Sequence, residues 1–365
     1  MTITAPSSPP ITTHDIRTAI IDVVDGATLT RERATGVMNG VMAGQASGGQ
    51  IAALVTALRL RGETVDEIAG FATAMRDHAI HVTLPDTVGH VVDTCGTGGD
   101  GSGSFNISTT ASFVIAAAGV SIAKHGNRAM TSKCGSADLL EGLGVAVELT
   151  PEQVATCIAE IGIGFMYAPA FHPAMRYVGP TRREIGIRTV FNLLGPLTNP
   201  AGARHQLIGV GQAGISHKLA EALAAMGCQH AVLVRAEEGL DEIGVAGATD
   251  VTDYDARTDE VRSYRVAPED FGLSRGRPND LTGGDLAENI RITRAILSGE
   301  PGPRRDVVLM NAGAAIYAAD RTASIAEGIE LARAAIDDGS ALTRVDQLAS
   351  LSQRLRAQVA VEVSA

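Results

Sequence analysis

Between His14 and His81 apolar residues recur at helical spacing, as in Ile16, Ile20, Ile21 and Val24, and no stretch alternates like a strand. Thr30, ahead of Arg31-Glu32, reads as a helix cap; Gly62 reads as a stop and Thr64 as the next start. The pattern predicts a small all-helical subdomain over residues 14–84, preceded by a flexible tail over residues 1–13. Most of its apolar content is expected to fill its own core, with an excess available to a dimer interface.

After Pro85 the period changes. VVDTC reads as a buried strand, TTASFVIAAAG as a helix ending at Gly119, and VSIAK as a second strand. SADLLEGLG follows as a helix in which Gly142 should cost about 1 kcal/mol relative to Ala. VAVEL reads as another strand, and Thr150-Pro151-Glu152-Gln153 as a capping box with proline at the first helical position. FMYAP, HQLIGVG and HAVLVRA continue the strands, TDVTDYDA and EVRSYRVAP look like an antiparallel pair, and the chain then returns to helices. The fold class is therefore α/β: a small helical N-terminal subdomain plus a large domain, 85–365, with a mostly parallel, helix-flanked sheet. The segment from about 172 to 200 is helical in character and too long for a simple connection, so it is expected to rejoin the helical subdomain.

Composition narrows the classes. The 365 residues are 45% hydrophobic with no Trp and 3% aromatics, so the core must be built from small aliphatic side chains. A formal net charge of −11 argues against a broad nucleic-acid or anionic-membrane surface, and any anionic ligand needs a local basic cluster, a helix N-terminus or a metal ion. Cys95, Cys134, Cys157 and Cys228 are far apart with no CxxC pair, as expected of reduced cysteines in the cytoplasm. The opening MTITAPSSPPITTH lacks a basic start and an apolar core, and the apolar run 111–123 is too short to span a bilayer, so neither a secretory signal nor a membrane span is expected.

The candidate chemistry starts in Val91–Asp138. Gly96-Thr97-Gly98-Gly99-Asp100-Gly101 formally matches the dinucleotide fingerprint G-x-G-x-x-G. A dinucleotide site wants an acid near the end of the next strand, where this chain has Lys124 and His125. A phosphate or diphosphate cradle accounts for the turn better, with a plain structural turn as the alternative. Asn106-Ile107-Ser108-Thr109 offers more polar side chains than one helix cap needs, which points to ligand or metal contacts at a positive helix end. Lys124-His125-Gly126-Asn127-Arg128, with Lys133 and Ser136, forms a basic anion pocket where a strand meets a loop. Asp241-Glu242 follows a strand and a glycine turn; such a pair is either solvated or a Mg²⁺ ligand set. Arg182 either pairs with a neighbouring acid or, facing the glycine turn, grips a substrate carboxylate in two-pronged fashion.

Four segments in order, DTCGTGGDGSGSFNIST, KHGNRAMTSKCGSAD, RREIGIRTVFNLLGPLTNP and GLDE, closely resemble the anthranilate phosphoribosyltransferases of tryptophan biosynthesis. The resemblance covers nearly the whole chain from about residue 14. It implies that the amine of anthranilate attacks the anomeric carbon of phosphoribosyl pyrophosphate and expels pyrophosphate with inversion, in a homodimer formed through the helical subdomain. It also implies that Gly96, Gly99, Asp100, Ser104, Asn106, Ile107, Ser108 and Thr109 hold phosphoribosyl pyrophosphate. Lys124, His125, Gly126, Asn127, Arg128, Ser132 and Ser136 would complete that site. Ser108, Asp241 and Glu242 would bind Mg²⁺, and Gly96, Asn127 and Arg182 would contact anthranilate, with His125 and His172 along its path. Phe171 stands where many relatives carry a second histidine, and Gly244 follows the acidic pair where Ser or Thr is common. Two other readings are a pyrimidine nucleoside phosphorylase, which shares the fold and needs no acidic metal pair, and a non-catalytic nucleic-acid-binding relative, which the acidic balance opposes.

Overall fold

A computed structural model describes residues 13–129 and 133–362. The expected tail, apart from Thr13, and Ser132 lie outside the described residues. The chain divides into two compact units, Met1–Ala79 with His172–Thr198, and Ile80–Phe171 with Asn199–Ala365.

The first unit opens with α1 (Thr13–Val24), α2 (Arg31–Met42), α3 (Gly48–Arg61) and α4 (Val65–Asp77). Thr30 Oγ1 accepts the Arg33 amide, Ser47 pairs with Gln50 in a capping box, and Gly62 ends α3 at φ +88. Thr64 and Glu67 form a second capping box at the start of α4. The buried Glu67 carboxylate also accepts the Leu29 amide at 2.9 Å and pairs with Arg61, so it ties both flanking loops to α4. The face of α1 differs from the one the apolar spacing draws. Ile16, Ala19 and Val23 are buried, whereas Ile21 and Val24 are 49% and 66% exposed. Alanine at position 19 is what moves the stripe, because a small residue lets α1 pack closely on the side that sequence hydropathy weighs less.

The second unit begins with β1 (Val91–Gly96), α5 (Ile107–Ala117), β2 (Ser121–Gly126), α6 (Ser136–Gly142), α7 (Pro151–Ile161), β3 (Ile163–Tyr167) and α8 (Ala168–Phe171). VAVEL is not a strand. Val145, Ala146, Val147 and Leu149 are all buried, but the Ala146 amide donates to Ser352 Oγ at 2.9 Å, on a C-terminal helix rather than a neighbouring strand. A short buried apolar run satisfies either arrangement, and here a side-chain acceptor replaces the ladder. The Thr150 capping box and Pro151 open α7 as their residue types dictate.

From His172 the chain belongs to the first unit again, through α9 (Gly179–Ile185), which lies against α3, and α10 (Val190–Leu194), which lies against α4. It returns to the second unit with β4 (His205–Gly209), α11 (Ser216–Ala225), β5 (His230–Ala236), β6 (Thr249–Asp255) and β7 (Glu260–Val266). The C-terminal part is helical, with α12 (Leu286–Leu297), α13 (Pro303–Ala318), α14 (Ile325–Asp337) and α15 (Ser340–Glu362). A Cβ on Gly142 would sit 2.6 Å from Ile290 Cδ1 and 2.8 Å from Leu286 Cδ1. Glycine there lets α6 meet α12, and the gain in helix propensity from Ala is offset by moving both side chains.

The sheet order is β3-β2-β1-β4-β5-β6-β7, with β1 to β5 parallel and β6 and β7 antiparallel. The chain winds from β1 through β2 to β3 on one side and from β4 to β5 on the other, so the strand order reverses between β1 and β4. In such sheets the ligand crevice lies at the C-terminal ends of those two strands. Gly96 and Gly209 are paired there.

The opposite edge carries a buried charge cluster. His230 is 0% exposed; its Nδ1 lies 2.7 Å from Asp320 Oδ1 and its Nε2 3.1 Å from Asp253 Oδ1. Burial opposes the imidazolium, but the hydrogen bonds to Asp253 and Asp320 outweigh it and raise the pKa above the usual 6.5. The stability so gained is fully present below that unfolded-state value and fades as pH rises through the raised folded one. His230→Asn is therefore expected to cost more at about pH 5.5 than at about pH 9 in urea denaturation, and a pH-independent cost would mean that the imidazole is neutral.

Candidate active site

The turn after β1 is built for close backbone approach. Gly98, Gly99, Gly101 and Gly103 all have φ between +63 and +72, a region that favours glycine. Both ends of the turn are fastened: the Thr97 amide donates to the Gly209 carbonyl at 2.8 Å, Thr97 Oγ1 accepts the Gly211 amide at 2.9 Å, and the Phe105 amide donates to the Leu281 carbonyl at 3.0 Å. Between them Gly101, Ser102 and Gly103 are exposed.

The second wall is the loop after β5. Asp241 Oδ2 accepts the Gly98 amide at 2.9 Å, and a Cβ on Gly96 would sit 2.5 Å from the same oxygen. A Cβ on Gly209 would collide with the Asp241 carbonyl. These two glycines let the acidic loop press onto the sheet edge. Gly244 is also required locally, because a Cβ there would run into Glu238 and Ala236.

Three carboxylates meet here with one ammonium. Burial, and then the Asp100 charge, push the Asp241 carboxyl up to about 6. Burial, and then the Asp241 charge, push Glu242 up to about 8 although it accepts the Ser108 amide. Lys124 is 2% exposed and donates to the Thr94 carbonyl at 2.8 Å and to Ser108 Oγ at 3.2 Å. Burial lowers its pKa against the attraction of Asp93. Adjacent carboxylates in a desolvated crevice, with the Ser108 amide on Glu242 and the Ser108 hydroxyl on Lys124, offer oxygen donors of the kind a hard divalent cation such as Mg²⁺ takes.

The hydroxyl-rich segment is not spent on capping. Asn106 makes no side-chain cap for α5; its Nδ2 donates to the Cys134 carbonyl at 3.1 Å. Ile107 is in the apolar core and offers a ligand only its main chain, and Thr109 is buried beside it. Ser104 bridges to Thr282 at the far end of the turn.

Beyond β2, Ser136 Oγ accepts the Asn127 amide at 3.2 Å and donates to the Asn127 carbonyl at 3.1 Å, bracing the basic loop. A Cβ on Gly126 would strike that hydroxyl. The His125 amide donates to Asp93 Oδ1 at 3.3 Å. Arg128 is paired with Asp138 and Glu141 and lies 5.5 Å above the Tyr167 ring. Lys133 is exposed.

Arg182 and His172 belong to the helical unit. His172 is buried at the start of a short helical turn, Pro173–Tyr177. Arg182 is half-buried with its guanidinium 5.7 Å from the Phe191 ring centre; burial alone lowers its pKa, with no neighbouring carboxylate to raise it. The ion pair expected of a helix-surface arginine is not made among the described residues.

Sequence reasoning passed over two supports. Asp93, buried, accepts Asn199 Nδ2 at 2.7 Å, and that amide also donates to the Ala123 carbonyl at 2.8 Å, locking β1 to β2 beneath Lys124. The two residues lie in the DTCGTGGDG and LTNP motifs, and their lack of an assigned role was the available signal. Burial pushes the Cys95 thiol well above its usual range and Cys134 up to about 11, so both are held as thiols rather than thiolates.

Comparison with known protein families assigns both units of the chain to the glycosyl transferases. Residues 88–342 match the glycosyl transferase family a/b domain, and residues 17–79 its helical bundle domain. The chain is 54% identical to the anthranilate phosphoribosyltransferase of Chloroflexus aurantiacus over 93% of its length and 99% of that relative. The Thermus thermophilus anthranilate phosphoribosyltransferase structure matches with a TM-score of 0.86 at 43% identity, covering 92% of this chain and 99% of that one. The Saccharomyces cerevisiae enzyme in complex with PRPP and Mg matches at 0.84 and 27% identity, covering 94% and 99%. This chain belongs to the anthranilate phosphoribosyltransferase family.

Proposed function

We propose that this chain transfers the phosphoribosyl group of phosphoribosyl pyrophosphate to the amine of anthranilate, releasing pyrophosphate and N-(5-phosphoribosyl)anthranilate, a step of tryptophan biosynthesis. The observation that carries this reading is the meeting of the glycine turn, buried Lys124 and the Asp100, Asp241 and Glu242 carboxylates at the reversal point of the sheet. It is a site for a diphosphate accompanied by a cation.

The nitrogen lone pair of anthranilate forms the new bond to the anomeric carbon while the carbon–oxygen bond to pyrophosphate breaks and its electron pair leaves with pyrophosphate; the nitrogen then gives up one proton to the departing pyrophosphate or to water. An aromatic amine is unprotonated at neutral pH, so the protein needs no nucleophile of its own, and positioning with charge stabilisation does most of the catalysis. The glycine turn holds the diphosphate through main-chain amides, the α5 start and Ser104 add donors, and Ser136 and Asn127 support the basic loop. Ser108, Asp241 and Glu242 would hold Mg²⁺, whose charge offsets that of the departing pyrophosphate. Arg182 receives the anthranilate carboxylate, and His125 and His172 line its approach. Arg128 pairs with Asp138 and Glu141 at the surface, and such exposed pairs are weak enough to give way to a phosphate, so Arg128 completes the anion site from the basic loop.

We assign the chain to the cytoplasm, which its free cysteines suit; no helix among the described residues is long and apolar enough to cross a membrane. We also assign it a homodimer through the helical unit, because Ile21, Val24 and Leu60 there are exposed, Leu60 by 84%. Leu60→Asp is expected to shift the sedimentation coefficient from dimer to monomer; an unchanged dimer would place the interface elsewhere. The reaction itself is tested by proton NMR of the product. Direct displacement requires an inverted anomeric centre and one pyrophosphate per anthranilate consumed, and retention would overturn it.

A further inference from the structure

Helix α13 is buried on every side from Val307 to Ala318, the signature of a helix that runs through the core. One strongly polar side chain interrupts it. Asn311 is 1% exposed, and burying an amide there is costly unless its hydrogen bonds are made. They are made mainly to a single residue. Asn311 Oδ1 accepts the Ile243 amide at 2.9 Å, and Nδ2 donates to the Ile243 carbonyl at 3.0 Å and to the Val307 carbonyl at 2.8 Å. The two bonds to Ile243 reproduce what a neighbouring strand would supply.

Ile243 directly follows Asp241-Glu242. Its own side chain is buried, and the next amide, Gly244, donates to Thr249 Oγ1 at 3.1 Å. The main chain behind the acidic pair is thus fastened at two consecutive residues, once by α13 and once by β6. On the crevice side Asp241 Oδ2 accepts the Gly98 amide at 2.9 Å, so the acidic pair is held in front by the glycine turn and behind by these two anchors.

We propose that Asn311 is a positioning residue for the metal-binding loop, holding Asp241 and Glu242 in the arrangement that a divalent cation and the diphosphate require. This rests on the assignment of Asp241 and Glu242 to Mg²⁺ made above. Without the anchor the carboxylates relax apart, and re-forming their arrangement is drawn from the free energy of metal binding. Groups that orient metal ligands typically alter affinity by about ten- to a hundredfold when removed.

The test measures Mg²⁺ dependence of activity and of phosphoribosyl pyrophosphate binding, with Mn²⁺ binding followed directly by electron paramagnetic resonance. Asn311→Leu keeps the side-chain volume and removes the amide. It is expected to raise the half-saturating Mg²⁺ concentration about tenfold, weaken Mn²⁺ binding equally, and leave the anthranilate KM at saturating Mg²⁺ unchanged. Thr249→Val, which removes the second anchor at nearly constant shape, shifts the same readouts in the same direction by less and serves if Asn311→Leu does not fold. Ser352→Ala is the control for stability alone, since it frees the buried Ala146 amide away from the site. It should lower the melting temperature and leave Mg²⁺ dependence unchanged. If Asp241→Ala with Glu242→Ala abolishes Mn²⁺ binding while Asn311→Leu and Thr249→Val keep the wild-type value, only the positioning role is overturned. If the acidic double variant itself keeps wild-type Mn²⁺ binding, the metal assignment falls and the positioning role with it.

Discussion

Asp241→Ala combined with Glu242→Ala is expected to lower kcat/KM by about a thousandfold or more, because the pair holds the charge that offsets the departing pyrophosphate. The same change should make the metal-free protein melt at a higher temperature. Both carboxyls are pushed up by burial first and by neighbouring negative charge second, Asp241 to about 6 and Glu242 to about 8, so folding at neutral pH desolvates both and drives Glu242 to take up a proton, which costs stability. Loss of activity with a gain in apo stability separates a functional pair from a structural one, for which both would fall together. Unchanged activity would remove the metal assignment.

The second large effect is expected at Arg182. Its guanidinium lies over Phe191 and has no carboxylate partner among the described residues, so it carries an unspent charge in a partly desolvated setting. A charge-assisted, two-pronged bond to a substrate carboxylate contributes about 2–3 kcal/mol. Arg182→Ala should therefore raise the anthranilate KM roughly 30- to 150-fold while the phosphoribosyl pyrophosphate KM stays within about twofold. Arg182→Lys should recover only part of this, since a point charge does not reproduce the planar fork. If only the phosphoribosyl pyrophosphate KM moved, Arg182 would belong to the other substrate.

Local signals in the chain carried much of the fold. The Thr30, Thr64 and Thr150 caps and the Gly62 stop act where their residue types place them, because a cap is decided within four residues. The strands VVDTC, VSIAK and HAVLVRA were legible for a different reason: strands covered on both faces are continuous apolar runs bounded by turns. VAVEL has the same look and is not a strand, and no local property distinguishes it. What decides it is Ser352, about two hundred residues away, accepting the amide that a neighbouring strand would otherwise take. The α1 face is a similar case, since Ala19 packs as core while Ile21 and Val24 face outward.

At the site, the residue types were legible and their commitments were not. Gly96, Ser108, Lys124, Asp241 and Glu242 stand out because glycines after a strand, hydroxyls at a helix start and paired acids are costly choices without a ligand. Arg128 stood out equally, and its exposed pairs with Asp138 and Glu141 are contacts that spacing alone does not reveal. Asn311 left a visible trace, a single amide in the apolar stretch that follows Asp306, but its partner Ile243 is brought to it only by the packing of α13 under the loop.

The most direct measurement of the central claim mixes the purified protein with Mg²⁺, phosphoribosyl pyrophosphate and anthranilate and follows anthranilate fluorescence. Loss of fluorescence that requires all three components and proceeds over many turnovers is the predicted result. Constant fluorescence, beside an active relative that consumes the same mixture, would contradict it.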